Sequence, residues 1–268
     1  MKPSAIGHFC GGTLLAAAVI FGGCAAAVAE EKPQPAAAPA AEVKDQRALT
    51  LLKGMSDKLA SAKTVGFKVR SLVPMPAPNG QYISLFGTSR VLMQRPDKLF
   101  VESRGDLFPI DLYCDGQTVT AAVGPGNELY AQQAAPGSTI DAILEKEHPA
   151  ADALAPFVDL LVSDPYARLA KDLSGAFLVG ESTVGGVQTE HLAFTAKGVD
   201  WEIWIGTKDK LPRLVIVAYR SGERQPGFTV EFSDWKLDAP IPAQAFKVVL
   251  PKDATQLEFK LHGLPQSR

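Results

Sequence analysis

Residues 198–206 read "GVDWEIWIG", and the way this stretch is read decides the fold. Successive side chains of a strand point to opposite faces. As a strand, the stretch sets Trp201, Ile203 and Ile205 on one side and Glu202 and Trp204 on the other. The first face is wholly apolar. The second carries a tryptophan where a half-buried strand keeps polar residues, so both faces need cover.

The flanking sequence keeps the same period. "AFLVGESTV" and "VQTEHLAFTA" precede the stretch, and "LPRLVIVAYR", "GFTVEFSDWKL", "AFKVVLP" and "TQLEFKL" follow it. In "FTVEFSDW" (228–235), Phe228, Val230 and Phe232 alternate cleanly with Thr229, Glu231 and Ser233. Glycine or proline clusters separate most of these runs, at the spacing of an antiparallel barrel or sandwich.

The first half of the chain repeats the pattern. "VGFKVRSLV" (65–73) alternates Val65, Phe67 and Val69 with Gly66, Lys68 and Arg70, and "PMPAPNG" (74–80) reads as a turn. Residues 81–105 hold two strands hinged at "RPD", and 110–123 is a hairpin about Asp115-Gly116. A short strand, "ELYAQQA", follows "GPGN".

Two segments break the period. "DQRALTLLKGMSDKLASAK" (45–63) places Ala48, Leu51, Leu52, Met55 and Leu59 at helical spacing, with Asp45 as N-cap. Between Ser138 and Leu173 the pattern is helical again, with Pro156 and Pro165 at first-turn positions. One helix, half a sheet, a helical insertion and a second half-sheet describe a single α+β domain.

The N-terminus predicts export. Lys2 gives a basic start, "GGTLLAAAVIFGG" (11–23) is an apolar or small-residue run, and "AVA" (27–29) precedes "EEK". This is the pattern of a signal peptide cleaved after Ala29, and its apolar run is shorter than the roughly 20 residues of a membrane span. "FGGC" offers a competing site, with Cys24 lipidated. Residues 30–44 are rich in proline and alanine and read as a flexible tether. The chain is therefore expected to comprise a leader (1–29), a tether (30–44), a folded domain (45–262) and a tail (263–268). No membrane span is expected in the mature chain.

Charge and chemistry exclude several classes. The formal net charge is −2 and no basic stripe is present, which argues against nucleic-acid binding. Cys10 and Cys24 fall in the leader, so Cys114 remains alone and no intramolecular disulfide braces the fold. His148, His191 and His262 form no H-E-x-x-H pair, "GTSR" (87–90) is no nucleophile elbow, and "GPGNEL" precedes no helix that could dock a phosphate. "DLYCDG" (111–116) lacks two calcium ligands, with Tyr113 and Ala122 at those places. No cofactor or metal is implied. The one enzymatic reading left is an acid pair among Glu181, Glu190, Asp200 and Glu202.

The apolar faces are then the candidate site. A sheet of this size holds either a solid core or a cavity. A hollow lined by Phe67, Val69, Trp201, Ile203, Ile205, Phe228, Val230 and Phe232 is the favoured assignment, capped by the first helix and the helical insertion. Trp204 then packs on the convex side, beside the insertion or the tether. The opposite orientation also satisfies the pattern.

"RPDKLFVE" (95–102), "YCDGQTVT" (113–120), "DLLVSDPYARL" (159–169) and "VGGVQTEHLAF" (184–194) follow one another in order. "VDWEIWI" (199–205), "LPRLVIVAY" (211–219), "FSDWKL" (232–237) and "FKVVLPKDA" (246–254) complete the set. From about Asp45 to Phe259 the chain resembles a family of predicted periplasmic proteins. That family is similar, distantly, to the outer-membrane lipoprotein carriers LolA and LolB and to the lipid-sensing domain of the stress regulator RseB.

The resemblance implies a curved, unclosed antiparallel half-barrel, lidded by helices, that holds an acyl chain, lipid or lipoprotein anchor on its concave face. The carriers' ligand-gating arginine maps onto no single position, and Arg70, Arg90 and Arg95 all stand as candidates. The alternative is an envelope sensor or scaffold that binds a protein partner through a sheet edge or the helical insertion.

Overall fold

The computed structural model describes residues 44–146, 157–220 and 227–258. The expected leader, the tether up to residue 43, the tail, and with them Cys24, Ala29, His148 and His262, lie outside the described residues.

The period-two stretches become one sheet of twelve strands. Two meanders build it. The first runs through β1 (Thr64–Pro76), β2 (Tyr82–Gln94), β3 (Lys98–Gly105), β4 (Ile110–Asp115), β5 (Thr118–Val123) and β6 (Leu129–Ala134). The second runs through β7 (Leu173–Val184), β8 (Val187–Ala196), β9 (Val199–Gly206), β10 (Pro212–Tyr219) and β11 (Gly227–Leu237). β1 pairs antiparallel with β11 and so splices the meanders. The order is β12-β6-β5-β4-β3-β2-β1-β11-β10-β9-β8-β7, and β7 does not meet β12, so the sheet is open.

Among the described residues, β12 (Thr255–Leu257) is the one strand that pairs parallel, along β6. The expected strand "AFKVVLP" does not form. Ala243–Phe246 is a 3-10 turn instead, and Phe246 buries itself against Phe100 and Tyr113, beside Leu92, Ile241 and Val248. There Phe246 is almost fully buried on the back of β3 and β4, so tertiary contact overrides a strand-like pattern.

The helices share one face of the sheet. α1 (Gln46–Ser61) is capped by Asp45, whose carboxylate accepts a hydrogen bond from the Arg47 amide at 2.8 Å. Of the stripe its spacing predicts, it buries Ala48, Leu52, Met55 and Leu59 and half-buries Leu51. The described part of the insertion holds α2 (Ile140–Lys146), a 3-10 turn (Val158–Leu160) and α3 (Pro165–Leu169), which Asp164 caps. A single apolar cluster joins these helices to strands from β5 round to β7, through residues such as Val119, Val91, Phe67, Ile203 and Ala176. A flat sheet of twelve strands would be about 50 Å across, while α1 is about 24 Å long. The sheet curls around the helices and remains unclosed.

Candidate functional site: the inner face

Register assigns every strand residue to a face. Phe194 lies opposite Trp201, Leu192 opposite Ile203 and Glu190 opposite Ile205. Ile203 lies opposite Val215, Val215 opposite Val230, and Val69 opposite both Phe232 and Ser89. These residues form the inner face, which the helices cover. The eight residues singled out from sequence all fall on it. Seven are buried, with Val230 at 0% exposure and Phe67 at 3%, and Phe228 is half-buried.

Trp235 joins them against the alternation. Asp234 takes a left-handed backbone (φ 55°), and the β1–β11 register shifts between Gly66 and Lys68. That bulge turns the next side chain inward, where Trp235 stacks on Phe67 with centroids 4.4 Å apart and donates its indole N–H to the Pro212 carbonyl at 2.9 Å. Phe157 of the insertion meets Phe67 edge-on at 5.7 Å, and Phe232 lies 5.9 Å from it. Phe67 is the centre of the covered half.

Trp204 points outward, as one orientation of the strand required. It is not beside the insertion, which packs on the inner face. His191 stacks on it instead, with centroids 3.8 Å apart and planes at 11°, while the His191 Nε2 sits 2.6 Å from the Glu202 carboxylate. A cross-strand imidazole supplies the cover that the two-faced tryptophan pattern demanded.

The inner face outruns its helical cover. Val73, Met75, Ile83 and Leu85 continue it along β1 and β2, in the unbroken register that pairs Val73 with Leu85 and Met75 with Ile83. Val217 and Phe228 face each other, with Tyr219 beside Phe228, at the same end. Met75 and Ile83 are 39% and 43% exposed. The inner face therefore has a sealed half and an accessible apolar rim. Sequence reasoning missed the β1–β2 part of that rim because "PMP" read as a turn, whereas β1 runs through Pro76.

Arg95 holds the cover down. From the β2–β3 turn it donates to the backbone carbonyls of Leu161 (3.1 Å) and Val162 (3.0 Å), in the insertion. Desolvation by burial lowers its pKa from the ordinary arginine value, and Asp141 opposes that shift. Asp141 also accepts hydrogen bonds from the Ser163 amide and hydroxyl. Arg70 and Arg90 both lie on the outer face, since Arg70 pairs across from Glu231 and Arg90 across from Lys68. Of the three arginines, Arg95 alone reaches the helices.

The four acids divide between the two faces, two on each. Glu181 and Glu190 oppose each other on the inner face, where Arg47 meets Glu190 at 3.2 Å. Asp200 and Glu202 lie on the outer face. Arg220 and Thr195 donate to Asp200, and the Arg220 bond, first among its causes, holds that carboxyl below its usual range. Among the described residues, no group of three or more His, Cys, Asp or Glu is placed to hold a metal ion. No helix among them is long and apolar enough to cross a membrane.

A search of curated proteins found no match. Among solved structures, the chain is similar to an uncharacterized conserved protein from Thermus thermophilus, at 13% identity and a TM-score of 0.46, covering 80% of this chain and all of that one. It is also similar to a chain of the Pseudomonas aeruginosa MucA/MucB complex, at 17% identity and a TM-score of 0.42, covering 76% of this chain and 61% of that one. The Mycobacterium tuberculosis lipoprotein LppX matches at 10% identity and a TM-score of 0.40, covering 74% of this chain and all of the other. Residues 48–260 match the sequence family described as "Predicted periplasmic protein (DUF2092)", and the chain belongs to that family.

Proposed function

We propose that this is an exported, non-enzymatic protein that binds a hydrophobic ligand, an acyl chain, lipid or lipoprotein anchor, on the inner face of its open sheet. The observation that carries the reading is the accessible rim. Val217 and Phe228 extend the apolar wall of Val215 and Val230 out of the sealed core along β10 and β11, and Val73 and Leu85 add to it beyond a small polar step at Ser71, Gly87 and Ser89. Each methylene moved from water onto such a wall gains about 0.8 kcal/mol. In this reading the ligand starts on the rim and reaches Phe67, Val69, Trp201, Ile203, Ile205, Phe228, Val230 and Phe232 as the helices give way. Residues 1–29 are the leader cleaved after Ala29, with Cys24 lipidation as the competing processing, 30–44 are the tether, and 45–262 are the binding domain.

Native mass spectrometry of protein purified from the cell envelope tests this. A co-purifying lipid adduct is expected, lost on Phe228→Asp. Ligand-free protein that also fails to take up a fluorescent fatty acid would overturn it. A second reading, an envelope scaffold that binds a protein partner through a sheet edge, draws on β7. That edge strand exposes Phe177 and Val179 at 50% and 48%, and a stoichiometric protein partner without lipid would favour it.

A further inference from the structure

The β1–β2 hairpin carries a feature that ligand binding does not require. Residues 71–87, "SLVPMPAPNGQYISLFG", contain no charged side chain. The arm is apolar on both faces. Met75 and Ile83 are exposed on the inner side and Leu72 and Phe86 on the outer, where register pairs them.

A neighbouring loop adds apolar surface at the base of the arm. The Asp106 amide donates to the Phe86 carbonyl at 2.9 Å, and the Phe86 amide donates to the Asp106 carboxylate at 2.7 Å. Those bonds fix Leu107 and Phe108 beside the arm, 42% and 52% exposed. Gly105 makes the approach possible, since a Cβ there would collide with the Phe86 carbonyl oxygen.

Below the arm, the first charged residue is an arginine on each of three adjacent strands, Arg70 on β1, Arg90 on β2 and Arg104 on β3, while the flanking strands first meet an acid, Glu231 on β11 and Asp111 on β4. Arg70 lies 3.6 Å from Glu231, and Arg104 is held by Asp111 and Glu102. Asp106, at the base of the arm, has its carboxylate engaged by the Phe86 amide.

We infer that this arm docks the protein on a phospholipid bilayer, its tip among the acyl chains and its arginines at the headgroup phosphates. A protein groove would cover one face of the arm and leave the other wet. A bilayer covers both. From Leu72 to Pro76 the strand rises about 14 Å, enough for the roughly 5–10 Å that interfacial elements sink. Arginines whose stems lie along apolar surface place their charge in the headgroup layer. Docking this way brings the accessible rim to the membrane surface. The inference does not depend on the ligand reading, because the arm is defined without it.

The test is flotation of protein exported from the full chain carrying Cys24→Ser, so that no lipid anchor contributes. The vesicles are phosphatidylethanolamine with a minor share of phosphatidylglycerol. Binding is expected, with a drop of roughly tenfold or more for Met75→Ser/Ile83→Ser and roughly fivefold for Arg90→Gln. An environment-sensitive fluorophore on Ile83→Cys should shift to the blue with vesicles, while the same label on Val249→Cys, 67% exposed in the C-terminal segment, should not. Failure of the unmutated arm to bind vesicles, or binding that leaves the Ile83 label unmoved, would overturn the inference. Neither result bears on a lipid adduct seen by mass spectrometry.

Discussion

Cys114 sits on the inner side of β4, opposite Leu99 on one neighbour and Val119 on the other, at 1% exposure. Burial pushes its thiol up to about 12 from an ordinary 9.0, with the Asp115 charge adding to the shift. A raised thiol pKa means that the folded state keeps the proton which the unfolded chain gives up. The contribution is neutral below about pH 9, and stability falls as pH rises from there towards 12, by about 1.4 kcal/mol per pH unit. Denaturant melts of wild type and Cys114→Ala between those limits should therefore converge as pH rises. A constant gap would show that the thiol ionises freely in the fold. At this scale the sequence was informative about identity and less so about direction. The alternation placed Trp201 on one face with Ile203 and Ile205. It missed Trp235, since a single left-handed aspartate reverses the facing and leaves no mark in the hydrophobic period.

α1 shows what an element can take from its own sequence and what it must borrow. Its apolar stripe and its cap are both local, and both form as read. Its position is borrowed. The Asp45 amide donates to the Ala176 carbonyl on β7 at 2.8 Å, Lys44 bridges the same residue, and Arg47 reaches Glu190 on β8. Asp45→Ala should cost about 1 kcal/mol through the lost cap. In hydrogen exchange, the first turn of α1 should lose protection while β1 and β2 keep theirs. Equal loss everywhere would mean that the helix start is not a separate unit. The strands were legible for the same reason as the helix, because one face of each is buried and period two survives. "AFKVVLP" and "PMP" were misread because their structure is set from outside, by the Phe246 pocket on the back of β3 and by pairing with Tyr82 across the arm. The family resemblance pointed to an open, helix-lidded sheet that no local period could supply.

At the scale of the whole molecule, the same residues serve as core and as the proposed binding wall, so a ligand bound there would compete with α1 and the insertion for Phe67 and its neighbours. Arg95 is the residue through which that proposed competition can be tested. Its two bonds to the Leu161 and Val162 carbonyls hold the insertion over Phe67, and its Nε is buried without a partner. Hydrogen bonds from a charged donor contribute about 1.5–3 kcal/mol each. Arg95→Ala should therefore favour the open arrangement by on the order of 2 kcal/mol, less whatever relief comes from no longer burying the cation. A binding-competent state that is rarely populated weakens apparent affinity by its own fraction. Releasing the cover should then tighten uptake of a fluorescent fatty acid by roughly tenfold while lowering Tm by several degrees. The two readouts move in opposite senses, which a merely destabilised variant would not do. Unchanged affinity with a lowered Tm would place the ligand on the rim alone, with the sealed half serving only as core. Affinity that fell with Tm would mean that the covered arrangement is itself the binding one, and that the helices grip the ligand instead of excluding it.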